Sequence, residues 1–288
     1  MNQFDYIIIG AGSAGCVLAN RLSENVNHSV LLLEAGPSDK RFFVQMPIGY
    51  GKTFYQPKVN WMYNSQPCSG LNERISYWPR GKTLGGSSSI NAMVYVRGHK
   101  QDFNDWEQAG NPGWSYDDVL PYFKRMESWQ RGADNFRGGS GLLNVSDVSA
   151  KLHPLCKHFL AAGESLGFKY NADMNGAQQE GVGYYQLTTH KGRRMSAARA
   201  YLKPARKRSN LTVVCEALVQ RIVFEDQRAV AVEYEHNGAS HCAYGAQQIC
   251  LSAGAVNSPQ LLQLSGIGPR KVLQQAGVEQ VHESPAVG

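Results

Sequence analysis

The sequence predicts an α/β fold that opens with a parallel βαβ unit of the kind that holds a dinucleotide. Three observations predict it: an apolar run closed by glycine at Tyr6–Gly10, a G-x-G-x-x-G turn over Gly10–Gly15, and a second apolar run ending at an acid, Glu34. At 288 residues the chain has room for about two domains. A composition 42% hydrophobic and only 18% charged supplies a sizeable core and argues against global disorder.

The first strand runs from Asp5 to Gly10, its unbroken apolar stretch being that of a strand buried on both faces. The turn Gly10-Ala11-Gly12-Ser13-Ala14-Gly15 follows, then a helix with Val17, Leu18 and Leu22 inward. Gly10 permits the tight turn, Gly12 leaves the pyrophosphate unobstructed, and Gly15 lets helix and strand approach. The helix N-terminus, including Ser13 and Ala14, turns free N–H groups and a positive dipole end toward the phosphates. A second strand, Ser29–Leu33, places Glu34 19 residues after the last glycine, where its carboxylate accepts from ribose hydroxyls. FAD and NAD both use this unit; the acid argues against the 2′-phosphate of NADP.

From Tyr77 to Gly98 a Gly/Ser-rich turn leads into a β-rich continuation, Ile90–Val96, which a flexible linker would not enter. Ser115 caps a helix with Asp117 and Asp118 in its first turn. Arg137–Gly141 reads as a hairpin or loop. His153-Pro154 opens a helix with Leu155, Phe159, Ala162 and Leu166 on one face, ended by Gly167. Alternation between Leu211 and Tyr234 indicates antiparallel strands, and Gln248–Ser252 a strand feeding a glycine turn at Gly254 and a helix from Ser258. The aromatics crowded between Phe42 and Trp129 are expected mostly in the core. There is no internal repeat.

The net charge of +6 is local. Lys191, Arg193, Arg194, Arg199, Lys203, Arg206, Lys207 and Arg208 stand without an acid, while the rest of the chain carries 21 cations against 23 acids. No nucleic-acid-reading module accompanies the run, so it reads as a solvated helix face and an anion-facing loop, with weak attraction to anionic lipid heads as the further reading. No apolar stretch reaches the roughly 18 residues of a membrane span, and Tyr6–Ile9 lacks the basic flank of a signal peptide. Cys16, Cys68, Cys156, Cys215, Cys242 and Cys250 form no CxxC pair, which reads as reduced thiols in a cytoplasmic protein. His153 and His158, five apart, fall on different helix faces, and no metal site is expected.

Arg80-Gly81-Lys82-Thr83-Leu84-Gly85-Gly86-Ser87-Ser88-Ser89-Ile90-Asn91-Ala92-Met93-Val94 resembles the first signature of the glucose–methanol–choline (GMC) family of FAD oxidoreductases. Gly254-Ala255-Val256-Asn257-Ser258-Pro259-Gln260-Leu261-Leu262-Gln263-Leu264-Ser265-Gly266-Ile267-Gly268 is similar to the second, and Leu33-Glu34-Ala35-Gly36-Pro37 also fits. The resemblance implies a Rossmann-like FAD-binding domain, residues 1–98 and 200–288, with a lid and part of a second, α+β substrate domain over 99–199. It implies that Ala35, Thr83, Gly86, Ser87, Asn91, Ala92, Met93 and Val94 join Gly10–Gly15 and Glu34 around the cofactor, with the Val219 backbone at the adenine. Ile90 stands where some relatives carry a histidine joined covalently to the flavin, so FAD is expected to be noncovalent.

The reaction implied is oxidation of a primary alcohol to an aldehyde by hydride transfer to flavin, with choline dehydrogenase and a noncatalytic FAD-binding fragment as alternatives. The electron acceptor, whether quinone, dye or oxygen, is undetermined, and the location implied is cytoplasmic or peripheral at the inner membrane face. The chain reaches Gly288 before the histidine that is the family's base, so the catalytic residue is unknown. Residues 1–288 are expected to bind FAD without turning over alcohol.

Overall fold

The computed structural model describes residues 3–288. The chain divides into two compact units: residues 1–91 with 196–288, and residues 92–195. The expected divisions were at 98 and 200.

The first unit is built on a six-stranded sheet. β1 (Gln3–Ile9) leads through the glycine turn into α1 (Ser13–Leu22) and then β2 (Val30–Leu33). The later segment adds β3 (Leu211–Val214), β4 (Ala217–Glu225), β5 (Arg228–His236) and β6 (Ala239–Leu251), followed by α2 (Gly254–Leu264). The order across the sheet is β3-β2-β1-β6-β5-β4. β3, β2, β1 and the end of β6 are parallel; β6, β5 and β4 form an antiparallel meander.

Three expectations are corrected here. Leu211–Val214 is not antiparallel: it pairs parallel with β2, Leu211 opposite Val30 and Val214 opposite Leu33. Alternation sets which face a side chain takes, whereas strand direction follows from the connection. The predicted strand at Gln248 is the last part of a 13-residue strand whose first half pairs antiparallel with β5. The helix after it starts at Gly254, not Ser258.

β2 is buried along its whole length, and Ile7 and Ile8 point to opposite faces with no exposure, as the unbroken apolar runs require. On one face Ile7, Ile9, Leu31 and Leu33 meet Ile222, Val232, Tyr234 and Leu261. On α1, Cys16 and Ala19 are fully buried, and burial holds the Cys16 thiol well above its usual range.

In the second unit, helices cover Lys100–Gln108 and Tyr116–Met126. His99 caps the first with a reciprocal Asp102 bond, and Ser115 caps the second as predicted. The glycine-rich stretch 137–141 connects Glu127–Trp129 to Leu143–Val145, two strands that pair parallel, so it is a loop and no hairpin turn. Arg137 within it is fully buried, forked onto Glu127 and Asp173, with Trp129 at 4.3 Å from its guanidinium.

The helix at Leu155–Ser165 forms, but Leu155, Phe159 and Leu166 are exposed and Leu160 is its buried residue. The aromatics are likewise not mostly core. Tyr116 and Trp129 are buried, while Phe42, Tyr55, Trp78, Trp106, Trp114 and Tyr122 are exposed. Several are covered by cations instead of apolar packing, Arg80 over Trp78 and Arg125 over Tyr122. The basic run also breaks up. Arg194 is buried in the second unit, Arg199 and Arg208 in the first are half-buried, and Arg208 donates to the Ser23 hydroxyl. No described helix is long and apolar enough to cross a membrane.

Candidate functional site

At the C-terminal ends of β1, β2 and β6 the first unit opens into a cavity of about 510 Å³, the crevice position expected of an open parallel sheet. Its floor is built by backbone contacts. Gly10 has φ +91°, and the Ser252 hydroxyl ties the turn down by donating to the Ile9 and Gly10 carbonyls, both at 2.9 Å. A Cβ on Gly15 would lie 1.9 Å from the Gly10 carbonyl oxygen, so only glycine lets α1 approach β1 this closely. A Cβ on Gly12, by contrast, would meet nothing nearer than 3.8 Å: Gly12 faces open space.

The second glycine turn is seated on the first. The Gly85 N–H donates to the Ala11 carbonyl at 2.7 Å, and a Cβ on Gly86 would lie 2.8 Å from the Gly12 Cα. Two glycine segments about 70 residues apart in sequence thus make one cradle. α1 starts at its rim with no side-chain cap and no acid in its first turn, so its first N–H groups are left for an anion.

Glu34 stands at the end of β2, only 6% exposed. Its two carboxylate oxygens accept from the Ala11 and Gly36 N–H groups, both at 2.9 Å. Burial pushes its pKa up to about 7; the two backbone donors and the Lys82 charge oppose that shift without cancelling it. Carboxylate oxygens have lone pairs beyond these two bonds, enough to accept from a sugar hydroxyl. The donor set fits a dinucleotide: N–H groups for phosphates, an acid for a ribose, and an apolar wall of Leu18, Leu218, Val219 and Leu264 for a base.

Of the residues picked from sequence, Gly10, Gly12, Ser13, Ala14, Glu34, Ala35, Gly86, Ser87 and Val219 line this cavity. Gly15 shapes it from beneath. Thr83 is fully buried and its hydroxyl donates to the Pro37 carbonyl at 2.8 Å, so it holds the chain after Glu34 in place. Asn91 is the last residue of the first segment of this unit, and Ala92, Met93 and Val94 belong to the other unit. Met93 there is buried at φ +64°.

Sequence reasoning did not single out Trp61, Arg80, Ser252 or Asn257 as site residues, although all four line the cavity. Lys82 lies 4.5 Å from the Trp61 ring centre, and the Asn257 amide bonds the Tyr63 hydroxyl at 2.8 Å. For Ser252 a signal existed: a hydroxyl directly after a strand that ends in a glycine turn. His99 caps its helix, and the His153 Nδ1 accepts from the Leu155 N–H at 3.2 Å. Among the described residues, no three of His, Cys, Asp and Glu come together to hold a metal.

Residues 4–288 match a family described as GMC oxidoreductase. The chain is 49% identical over 286 residues to an oxygen-dependent choline dehydrogenase of Photobacterium profundum, covering 99% of this chain and 50% of that protein. It is 48% identical over 291 residues to an alcohol dehydrogenase [acceptor] of Pseudomonas putida, covering 99% and 52%. Its structure resembles that of pyridoxine 4-oxidase from "Mesorbium loti" with a TM-score of 0.94 at 37% identity, over 98% of this chain and 55% of the other. The chain therefore spans about half the length of the relatives it matches.

Proposed function

The chain belongs to the GMC oxidoreductase family, and from that premise we propose that its first unit binds FAD noncovalently and serves the oxidation of a primary alcohol to an aldehyde. The observation that carries the proposal is the convergence of the α1 N-terminus, Glu34 and the Gly85–Gly86 turn on one cavity. An NAD site would leave the second glycine turn and the Gly254–Gly268 run without a role.

In this reading the N–H groups of Gly12, Ser13 and Ala14 take the pyrophosphate, and Glu34 accepts from the adenosine ribose. The Val219 backbone meets the adenine beside Ala35, and Gly86 and Ser87 continue the cradle toward the flavin. Thr83, Asn91, Ala92, Met93 and Val94 are assigned to the flavin end by the family resemblance alone. Residues 92–195 serve as part of the substrate domain. Bound FAD supplies a two-electron acceptor for the hydride leaving the alcohol carbon. What this chain contributes is grip, orientation and a partly apolar wall. No base is assigned. Choline is the second donor to test, because choline dehydrogenases stand among the relatives. The purified 288-residue chain is expected to show flavin absorption bands and, offered aliphatic alcohols or choline with a dye acceptor, no turnover; turnover by it would mean that the base lies within these residues. Tight NAD binding without FAD uptake would overturn the cofactor assignment.

Two further results are expected. Ile90 is buried with Val44 and Val59 and carries no nucleophile, so acid precipitation should leave the yellow colour in the supernatant. Colour retained in the pellet would show a covalent link through another residue.

The second concerns pH. Ribose hydroxyls donate to ionised Glu34, so FAD affinity should rise with pH, by up to about tenfold per unit, and level off above about 7. The cofactor-free fold responds oppositely. A carboxyl raised from 4.5 to about 7 contributes fully below the lower value, and roughly 3 kcal/mol of that is lost as pH rises through the window. Flavin fluorescence titrations at pH 6 and pH 8 check the first half. Glu34→Gln should flatten the pH response, and an unchanged slope in that variant would assign the dependence elsewhere.

A further inference from the structure

We propose that the aromatic flank at residues 40–58 of the first unit docks on an anionic lipid surface. This segment folds as three short turns of helix, Phe42–Gln45, Pro47–Gly49 and Tyr50–Thr53. Its inward residues are fixed. Val44 and Val59 pack with Ile90, Thr53 is buried, and a Cβ on Gly49 would lie 2.0 Å from the Phe43 carbonyl oxygen. Its outward residues are large and apolar. Phe42 is 70% exposed, Ile48 84% and Tyr55 69%, with Phe43 and Tyr50 beside them. These rings and an isoleucine are held outward by an anchored backbone, so exposing them is a property of the fold and not of a loose loop.

The charge around them has one sign. Lys40, Arg41, Lys52 and Lys58 are all exposed, and no acid occurs between residues 40 and 72. The preceding acid, Asp39, is half-buried and accepts from the Gln45 side chain at 3.2 Å. The fold adds to this field from far along the chain. Arg199 donates to the Gln45 Oε1 at 3.4 Å, and Arg206 is close enough to act on Asp39. Lys203, Arg206 and Lys207 are exposed on that later segment.

Exposed Phe, Ile and Tyr ringed by lysine and arginine match the two demands of an interface between water and anionic lipid. Apolar groups enter below the headgroups, and cations meet the surface potential. The Lys52 ammonium lies over the Phe43 ring, 4.6 Å from its centre, so one of these cations sits directly against an exposed ring. The proposal goes beyond the oxidoreductase reading and is independent of it, since its test needs no cofactor.

The test is flotation of the 288-residue chain with vesicles of phosphatidylcholine alone and of phosphatidylcholine with about one third phosphatidylglycerol. Binding is expected on the anionic vesicles only, falling as salt is raised. Lys40→Gln with Lys52→Gln should lower it roughly fivefold per charge removed at low salt. Phe42→Ser with Ile48→Ser should lower it about tenfold or more while far-ultraviolet circular dichroism stays unchanged. Phe159→Ser, an exposed apolar position in the other unit, should leave binding as it is. Equal binding to both vesicles, no binding, or binding lost only in Phe159→Ser would overturn the proposal. So would self-association abolished by Phe42→Ser with Ile48→Ser, which would make a second copy of the chain the occupant.

Discussion

Gly15→Ala is expected to destabilise the first unit severely, whereas Gly12→Ala leaves its stability nearly unchanged and weakens its hold on the cofactor. The two glycines share a turn but face different things. At Gly15 the new methyl would sit 1.9 Å from the Gly10 carbonyl oxygen and 2.8 Å from the Ser252 Oγ. Nothing there can give way cheaply. The oxygen is main chain at the end of β1, and Ser252 is holding that turn through two hydrogen bonds. Relief requires α1 to lift off the sheet, losing the burial of Cys16 and Ala19. Overpacking of about 1–3 kcal/mol plus the burial lost comes to roughly 4 kcal/mol, a large share of a domain's usual 5–15.

At Gly12 the methyl enters open space, with nothing nearer than 3.8 Å, and its φ of −71° suits alanine. Stability should change by less than about 1 kcal/mol. The methyl occupies the approach to the helix N-terminus, so FAD affinity should fall on the order of tenfold to a hundredfold. Urea midpoints and flavin titrations of the two variants check the contrast. A Gly15→Ala protein with the parent's midpoint would show that the helix moves more freely than these contacts allow.

Arg137→Ala should cost the second unit about 3–5 kcal/mol, because it removes one partner from a buried ionic cluster. Arg137 has no exposure. Its Nε donates to Glu127 at 3.0 Å, and its Nη1 reaches Asp173 at 2.7 Å and Gln186 at 2.8 Å. Glu127, equally buried, also accepts from Arg97 at 2.6 Å. Without Arg137 the Asp173 carboxylate loses its only ion pair among the described residues, and Glu127 keeps one cation of two. Arg137→Lys should recover less than half, since an ammonium cannot bond both carboxylates in the plane of a guanidinium. The exposed pair Arg221–Glu233, at 2.8 Å, is the control: Arg221→Ala should cost under about 1 kcal/mol. Urea unfolding followed by tryptophan fluorescence reads both, Trp129 being packed on Arg137. Equal costs for the two arginines would mean the buried cluster contributes no more than a surface pair.

The sequence by itself determined the elements whose requirements are local. An apolar run closed by Gly10, glycines at 12 and 15, and Glu34 after a second apolar run specify strand, turn, helix and strand, because each depends on neighbours within a few residues. The family resemblance was legible for the same reason, its glycine segments being contiguous. Tertiary structure decided whatever depends on partners far away in the chain. β3 runs parallel because of the sheet edge it reaches, not because of its own alternation. Ser252 becomes part of the site because β6 ends beside β1. Arg137 looked like a loop cation, yet it is among the most buried side chains, since Glu127 and Asp173 converge on it from 10 residues before and 36 after. Conversely Phe42, Tyr55 and Trp78, among the aromatics expected mostly in the core, stand in solvent. Spacing decides which residues share a face; whether that face is buried depends on what the fold brings against it.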